Sequence, residues 1–267
     1  MDNRPVGIFD SGVGGLTVVK EVMKQLNNES IIYFGDTARV PYGTKSKNTV
    51  TKFAIQIIRF LLQQDVKAII IACNTVNSNC IEELRNVFPD VIIEGVVEPG
   101  VKMALSATKN GRIGVIGTEA TIASNRYTTL LTENHKDYRV YNKACPLFVP
   151  LVEDGWQNKQ VTIMVIEEYL KELKTKDIDT LILGCTHYPI LHTALKQVVG
   201  DNIQLINPAN EAAHSMGERL LEKNIAATHS LGHKFYVSDH PEKMKDMAKM
   251  FLGYTINEVV EIDIENY

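Results

Sequence analysis

Long apolar runs and a surplus of charge of either sign are both missing from this chain of 267 residues. No uninterrupted apolar stretch approaches the roughly 18 residues that a membrane-spanning helix needs. The chain has 28 basic and 32 acidic residues, so its formal net charge is only −4 at pH 7, and the basic residues are scattered. We therefore expect no membrane partner and no nucleic-acid partner.

Cysteine is also scarce, with four residues in the whole chain: Cys73, Cys80, Cys145 and Cys185. So few cysteines do not form the disulfide framework of a small secreted protein. A strand is expected to begin near Val6, which leaves no room for a signal peptide, so we expect free thiols and a cytoplasmic location. The spacing of Cys185 and His187, like that of the cysteines, does not match a zinc site, and we expect no metal.

The chain lacks the usual phosphate-binding loops as well. Residues 10–18 read D-S-G-V-G-G-L-T-V, which has no Lys where G-x-x-x-x-G-K-[ST] requires one and does not match G-x-G-x-x-G. Residues 36–43 read D-T-A-R-V-P-Y-G, which is typical of a turn around a proline. We expect no nucleotide cofactor.

What the chain does have is a regular alternation of short apolar runs with segments of helical periodicity. This alternation predicts a parallel α/β architecture. The predicted strands are Val6–Phe9, Ile31–Phe34, Ala68–Ala72, Val91–Ile93, Arg112–Ile116, Thr180–Leu183, Ile203–Ile206 and Lys234–Val237. The predicted helices include Leu16–Leu26, Asn48–Gln64, Asn77–Val87, Gln160–Leu173 and Ile190–Val199.

Three segments of the chain also recur in the same order. The similar pairs are Arg4–Ser11 with Asn110–Thr118, Lys67–Thr75 with Asp179–His187, and Ile92–Pro99 with Ile203–Pro208. We interpret the repeat as a duplication that produces two similar α/β domains with mostly parallel sheets, related by a pseudo-two-fold axis. The predicted boundaries are residues 1–97 plus 208–267 for the first domain and 98–207 for the second. The active site is expected in the cleft between them.

Polar residues follow the predicted strands, where ligands bind in open α/β sheets. They include Asp10-Ser11, Cys73-Asn74-Thr75, Gly117-Thr118 and Cys185-Thr186-His187. An isolated cysteine at a strand end is usually an apolar filler, and we assign Cys80 and Cys145 such structural roles. Cys73 and Cys185 instead occupy equivalent places in the repeat, so their thiols are expected to face the cleft from opposite sides.

Two opposed thiols suit inversion of a carbon stereocentre, because one group removes a proton from one face while the other delivers a proton to the opposite face. At a usual pKa of ~8.5 only about 3% of a thiol is ionised at pH 7, so each needs a proton partner. Asp10 and His187 are the candidates. Ser11, Asn74, Thr75 and Thr186 supply neutral donors and acceptors for a carboxylate or an ammonium group.

Six motifs are similar to those of the cofactor-independent aspartate/glutamate racemase family, and within it to the glutamate racemases. They read G-I-F-D-S-G-V-G-G-L-T-V, D-T-A-R-V-P-Y-G, A-C-N-T, G-T-E-A-T-I-A-S, F-V-P-L-V-E-D-G and L-G-C-T-H-Y-P. They occur in the order found in the family and span most of the chain. About sixty residues at the end match no motif and are assigned no role.

The resemblance implies conversion between L- and D-glutamate for bacterial peptidoglycan, with no cofactor and no metal, by a homodimer. Cys73 would deprotonate D-glutamate and Cys185 would deprotonate L-glutamate. Asp10 and His187 would assist these thiols, with Glu153 near His187. The implied substrate contacts are Asp10, Ser11, Tyr42, Gly43, Asn74, Thr75, Thr186 and His187, with Pro41, Thr118 and Thr121 as further contacts.

Three alternatives remain open from the residues. The same two-thiol chemistry serves for aspartate or a hydantoin, since two facing cysteines do not fix the length of the substrate's side chain. A solute-binding protein also has two domains, a hinge and a cleft, although it has no use for paired thiols. A racemase that uses pyridoxal phosphate is the third, and it would be coloured.

Overall fold

Ten strands form two separate parallel β-sheets in the computed structural model, which describes all 267 residues. The first sheet contains β1 (Val6–Asp10), β2 (Ile31–Gly35), β3 (Ala68–Ile71), β4 (Ile92–Glu94), β9 (His233–Val237) and β10 (Val260–Glu261). The second contains β5 (Arg112–Gly117), β6 (Arg139–Ala144), β7 (Thr180–Gly184) and β8 (Gln204–Ile206). The predicted α/β class with parallel sheets is confirmed.

Eleven α-helices surround the two sheets. They are α1 (Leu16–Gln25), α2 (Lys47–Gln63), α3 (Asn74–Val87), α4 (Val97–Ala107), α5 (Glu119–Ala123), α6 (Arg126–Thr132), α7 (Phe148–Glu153), α8 (Gln160–Leu170), α9 (His192–Val199), α10 (Pro208–Glu222) and α11 (Pro241–Leu252). Central strands such as β1 and β3 are fully buried, which explains why they read as continuous apolar runs rather than as alternating ones.

All eight predicted strands are present, with each end within one residue of its prediction. The helix predicted from Asn77 begins instead at Asn74, directly after Cys73, and the side chains of Asn74 and Thr75 bond to Tyr127 and Thr118. The helix predicted to reach Leu173 ends at Leu170, and the one predicted from Ile190 begins at His192, since short 3-10 turns occupy Leu173–Lys176 and Tyr188–Leu191.

Four strands run in the same order in both sheets. The first sheet has the order β10-β9-β2-β1-β3-β4 and the second β6-β5-β7-β8, so β2-β1-β3-β4 corresponds to β6-β5-β7-β8. The register corresponds too: Gly7 lies opposite Ile69, and Gly114 lies opposite Leu181. Cys73 lies four positions after Ile69, and Cys185 lies four positions after Leu181. The two cysteines therefore occupy matching places at the carboxyl ends of β3 and β7.

The chain passes between the sheets through two helices that pack against each other. Helix α4 follows β4 of the first sheet but packs on β7 and β8 of the second, whereas α10 follows β8 and packs on α1 and β4. At their contact a Cβ atom on Gly100 would lie 2.9 Å from Cγ of Pro208, so the close approach requires glycine. None of the helices is both long enough and apolar enough to cross a bilayer.

A buried ion pair joins the N-terminal segment to the segment that follows α10, at the end of the sheet away from the cysteines. The Lys67 ammonium lies 2.6 Å from Glu29 Oε2 and donates to the carbonyl oxygens of Asp2 and Ile225. Glu29 Oε1 accepts from the backbone N–H of Ala227. The side chains of the pair are 0% and 4% exposed, so neither charge has water to replace its partner.

Replacing Lys67 with Met should lower the free energy of unfolding by about 3 kcal/mol, because it leaves the Glu29 carboxylate buried without its counter-charge. The measurement is urea unfolding followed by circular dichroism. Lys47→Met is the control, since Lys47 is 57% exposed and lies 3.8 Å from Glu83, and it should change the same quantity by less than about 0.5 kcal/mol. Equal effects of the two substitutions would contradict the prediction.

Candidate active site

A cleft of about 430 Å³ lies between the carboxyl ends of the two sheets. Twelve of the predicted site residues line it: Ser11, Pro41, Tyr42, Gly43, Cys73, Asn74, Thr75, Thr118, Glu153, Cys185, Thr186 and His187. Asp10 and Thr121 do not line it; each is 1% exposed and lies directly behind a lining side chain. The chain therefore brings together side chains that are up to 176 positions apart.

Both predicted thiols face this cleft and are buried. Cys73 immediately precedes α3 and donates from Sγ to the Ser11 hydroxyl at 3.6 Å. The sulfur of Cys185 lies 4.0 Å from Nδ1 of His187. Burial raises the pKa of Cys73 to about 12 and raises the pKa of Cys185 as well, and the nearby Asp10 carboxylate acts in the same direction on both. Both thiols are therefore protonated at neutral pH in the free protein.

Asp10 is the last residue of β1, and its carboxylate connects the two domains. Its Oδ2 atom accepts from the backbone N–H of Gly15, at 2.9 Å, and from the hydroxyl of Thr186, at 3.4 Å. Its Oδ1 atom is buried and has no hydrogen-bond partner. Burial raises the pKa of this carboxyl group, although His187 and backbone N–H groups oppose the effect. Asp10 therefore has one oxygen available to take up a proton.

His187 belongs to a series of hydrogen-bonded side chains that ends next to the sulfur of Cys185. Its Nε2 atom lies 3.0 Å from Oε1 of Glu153, and Oε2 of Glu153 accepts from Lys243 at 2.8 Å. Burial raises the pKa of Glu153, but hydrogen bonds and charge from His187 and Lys243 outweigh it and lower that pKa to about 2. Because an ionised carboxylate only accepts, Nε2 carries the proton of the neutral imidazole, and in that form Nδ1 is free to accept one from Cys185.

Neutral hydroxyl and amide groups complete the cleft. Thr75 Oγ1 lies 2.9 Å from Thr118 Oγ1 across the cleft and 3.4 Å from that of Thr121. The side-chain oxygen of Asn74 accepts from the Tyr127 hydroxyl, which leaves the side-chain NH₂ of Asn74 as a free donor. The Tyr42 hydroxyl donates to Asp36, and Tyr42 and Gly43 both line the cleft.

The glycine-rich segment after β1 allows the two domains to touch beside the thiols. A Cβ atom on Gly14 would lie 2.4 Å from both His187 Nδ1 and Thr186 Oγ1. Thr17, in the next helix, donates to the Thr186 carbonyl at 3.1 Å. Glycine at position 14 thus has a packing role at the domain contact.

Four residues at the site were not predicted from the sequence. Tyr127 orients Asn74, Gly14 makes room for His187, Lys243 pairs with Glu153, and Phe251 packs edge-on to the His187 ring at a centroid distance of 5.6 Å. Lys243 and Phe251 belong to α11, in the part of the chain that matched no motif. The only available signal was the glycine-rich composition around Gly14, since the others are single residues without a repeating pattern.

No group of three or more His, Cys, Asp or Glu side chains is placed to hold a metal ion. Two α/β domains enclose a cleft lined by two buried thiols, with the Asp10 carboxylate and the His187 imidazole close by, an arrangement suited to acid–base chemistry on a small molecule. The chain belongs to the Asp/Glu/Hydantoin racemase family, whose model matches residues 11–216.

Individual members of the family are similar to nearly the whole chain. It is 42% identical over 264 residues to the glutamate racemase of Geobacter metallireducens, covering 98% of this chain and 97% of that protein. It is 45% identical over 260 residues to the glutamate racemase of Chlorobaculum tepidum, covering 96% and 95%. The crystal structure of glutamate racemase from Francisella tularensis in complex with D-glutamate has a TM-score of 0.93 at 40% identity, with both chains fully covered. The predicted family and the two-domain fold are confirmed.

The raised pKa of Cys73 predicts how its alkylation depends on pH. In the free protein the rate of reaction with iodoacetamide should keep rising by about tenfold per pH unit from pH 7 to pH 10, because the thiolate fraction rises until the pH reaches the pKa. The rate at Cys73 is measured by mass spectrometry of its peptide. The same chain unfolded in urea is the reference, and its rate should level off above pH ~8.5. Levelling near pH 9 in the folded protein would contradict the assigned pKa direction.

Proposed function

We propose that this protein is a glutamate racemase, which interconverts L- and D-glutamate by proton transfer at Cα between two thiols, without a cofactor. One observation carries the proposal: Cys73 and Cys185 occupy the same register position in two matching sheets, and both line one cleft. Glutamate as the substrate is supported by the relatives above, which are glutamate racemases over almost the whole chain.

In the proposed reaction each thiol serves one enantiomer. Cys185 removes the proton from L-glutamate while Cys73 protonates the opposite face, and the two exchange roles for D-glutamate. Because both thiols are protonated in the free protein, one must first lose its proton. The ammonium group of a bound amino acid favours this loss, since a nearby positive charge lowers the pKa of a thiol.

Two groups take part in that proton loss. We assign Asp10 to Cys73, since the unpartnered oxygen of its carboxylate can accept a proton. His187 is assigned to Cys185, because its Nδ1 lies on the sulfur side and Glu153 stabilises the resulting imidazolium. The negative charge that forms at Cα is delocalised into the substrate's carboxylate, which must therefore be held by donors.

The substrate's carboxylates are assigned to the neutral donors of the cleft. Ser11, Gly43, Asn74, Thr75 and Thr186 all line it. We assign the binding to the free NH₂ of Asn74, the three hydroxyl groups, and the backbone N–H groups of Gly43 and of the start of α3. The start of a helix also favours a negative charge. Pro41, Thr118 and Thr121 shape the wall, with Thr121 acting through Thr75 and Thr118.

The remaining assignments concern the whole molecule. We place the first domain at residues 1–97 plus 208–267 and the second at 98–207, which assigns each sheet to one domain. We also propose that the protein is a cytoplasmic homodimer that supplies D-glutamate for peptidoglycan. Its four cysteines are all free, as is usual in a reducing compartment.

The proposal is tested by incubating the purified protein with L- or D-glutamate in D₂O, without added cofactor, and following optical rotation and deuterium at Cα. We expect loss of rotation together with incorporation of deuterium. L-Aspartate and a hydantoin are tested in parallel, and faster turnover of either one would identify it, rather than glutamate, as the substrate. Binding without exchange would show a solute-binding protein, and a yellow protein that needs pyridoxal phosphate would reject the two-thiol chemistry.

Replacing either active-site cysteine should abolish racemisation without unfolding the protein. Cys73→Ala and Cys185→Ala are each expected to lower kcat by at least about 10²-fold, because the remaining thiol has no opposite acid or base. Cys80→Ala is the control: this thiol is buried at 1% exposure away from the cleft, so its variant should keep normal turnover. The two-base assignment fails if either Cys73→Ala or Cys185→Ala racemises at a near-normal rate.

Adding a single methyl group at Gly14 should also impair racemisation. Gly14→Ala places a Cβ atom against both Thr186 and His187, and displacement of about 1 Å at a catalytic group can lower the rate by about 10²-fold. Gly217→Ala is matched to it, since its Cβ would lie 2.7 Å from Cδ2 of Leu26, the residue just after α1, outside the cleft. We expect near-normal kcat for Gly217→Ala, and similar kcat values for the two variants would refute the role of Gly14.

A further inference from the structure

Helix α11 brings a lysine to the cleft from the part of the chain that shows no family motif. The Lys243 ammonium donates to Oε2 of Glu153 at 2.8 Å, Oε1 of Glu153 lies 3.0 Å from His187 Nε2, and His187 Nδ1 lies 4.0 Å from the Cys185 sulfur. Solvent exposure falls along this series of hydrogen bonds: the side chains of Lys243, Glu153 and His187 are 50%, 21% and 6% exposed. The four side chains thus connect the surface of the first domain to a thiol of the second.

The position of Lys243 is not explained by the stability of its own helix. It is the third residue of α11, where the helix macrodipole disfavours a positive charge. Its neighbour Lys245 makes an ordinary surface pair with Glu242, three positions away in the same helix. Lys243 instead pairs with a carboxylate 90 positions earlier in the chain, and that carboxylate lines the cleft.

Glu153 can hold His187 in one orientation only while both of its oxygen atoms are occupied. Without a partner for Oε2, the carboxylate is free to turn about its terminal bond towards water, and the hydrogen bond to Nε2 then loses its fixed direction. The Phe251 ring of the same helix contacts the edge of the imidazole but offers no polar group in place of the ammonium. The charge of Lys243 is therefore the one fixed partner on the outer side of Glu153.

From this geometry we infer that Lys243 is a positioning residue of the racemase, which acts through Glu153 and His187 on proton transfer at Cys185. The inference rests on the proposed function. It concerns one face of the substrate, since no corresponding lysine contacts Asp10 or Ser11 on the Cys73 side. Loss of Lys243 should therefore slow the step in which Cys185 removes or returns a proton, and leave the step at Cys73 unchanged.

Steady-state rates alone do not reveal this asymmetry. L- and D-glutamate have equal free energies in water, so kcat/KM must fall by the same factor in both directions. The primary isotope effect of glutamate deuterated at Cα is different, because it reports how far the first proton abstraction limits the rate. That abstraction is made by Cys185 from L-glutamate and by Cys73 from D-glutamate.

The experiment compares Lys243→Met with the wild-type protein, using deuterated L- and D-glutamate. Lys243→Met should lower kcat/KM by about tenfold, the lower end of the loss seen when an outer partner of a functional histidine is removed from a metal site. Compared with the wild type, the isotope effect on kcat/KM of this variant should be larger with deuterated L-glutamate and smaller with deuterated D-glutamate. Lys243→Arg keeps a donor and a charge and should recover most of the rate, and Lys245→Met should behave like the wild type.

A double-variant comparison shows whether the effect passes through Glu153. In a Glu153→Gln background, the further change Lys243→Met should leave kcat/KM within about twofold, since the ionised carboxylate that it orients is already gone. Wild-type-like kinetics for Lys243→Met, isotope effects that change alike from both sides, or a full additional loss in the Glu153→Gln background would each overturn the inference. A wild-type protein without racemase activity would instead overturn the proposed function.

Discussion

The site depends on one close contact, in which the backbone at Gly14 lies directly against Thr186 and His187 of the other domain. Protein interiors pack at near-crystalline density, so a contact that excludes even a methyl group fixes the distance between two domains closely. Thr17 and Asp10 reinforce the contact through hydrogen bonds to the backbone and hydroxyl of Thr186. Because the two domains are held together at this contact, the carboxyl ends of the two sheets face one shared cleft. Two thiols that belong to separate sheets can then act on a single carbon atom.

The two halves of the site correspond in position but not in chemistry. In the matched registers Asp10 corresponds to Gly117, and His187 corresponds to Thr75. Each domain thus keeps its cysteine, while the charged partners are divided: a carboxylate in the first and an imidazole in the second. Thr75, where the second domain has its imidazole, instead bonds to hydroxyl groups across the cleft. The reaction proposed here has mirror-related substrates but is carried out by groups that are not mirror images, so its two proton transfers need not share one energy barrier.

Much of this arrangement could be predicted from the sequence, because it depends on local patterns. A buried parallel strand reads as an apolar run, and the residue after it lies at the sheet edge where ligands bind, so Cys73 and Cys185 could be identified without coordinates. Strand β6 was missed because its residues, R-V-Y-N-K-A, are exposed or half-buried at an edge and lack an apolar run. Lys243 was missed because a surface lysine has no period or motif, and its partner lies 90 positions away. Contacts that depend only on how two domains come together leave little trace in a single sequence.

The return of the chain to the first sheet has a consequence for the order of assembly. Strands β9 and β10 extend the sheet beyond β2, so the first domain contains segments that precede the second domain in the chain and segments that follow it. At about 5–20 residues per second, roughly 10–40 s separate the emergence of β2 from that of β9 on the ribosome. The second domain, which is continuous in the chain, can complete its sheet during that interval, while β2 still has an unpaired edge. Helix α11, which follows β9 in the chain, then contributes both a lysine and an aromatic ring to the site. The site is therefore complete only after the segment that follows the second domain has been synthesised and has folded back onto the first sheet.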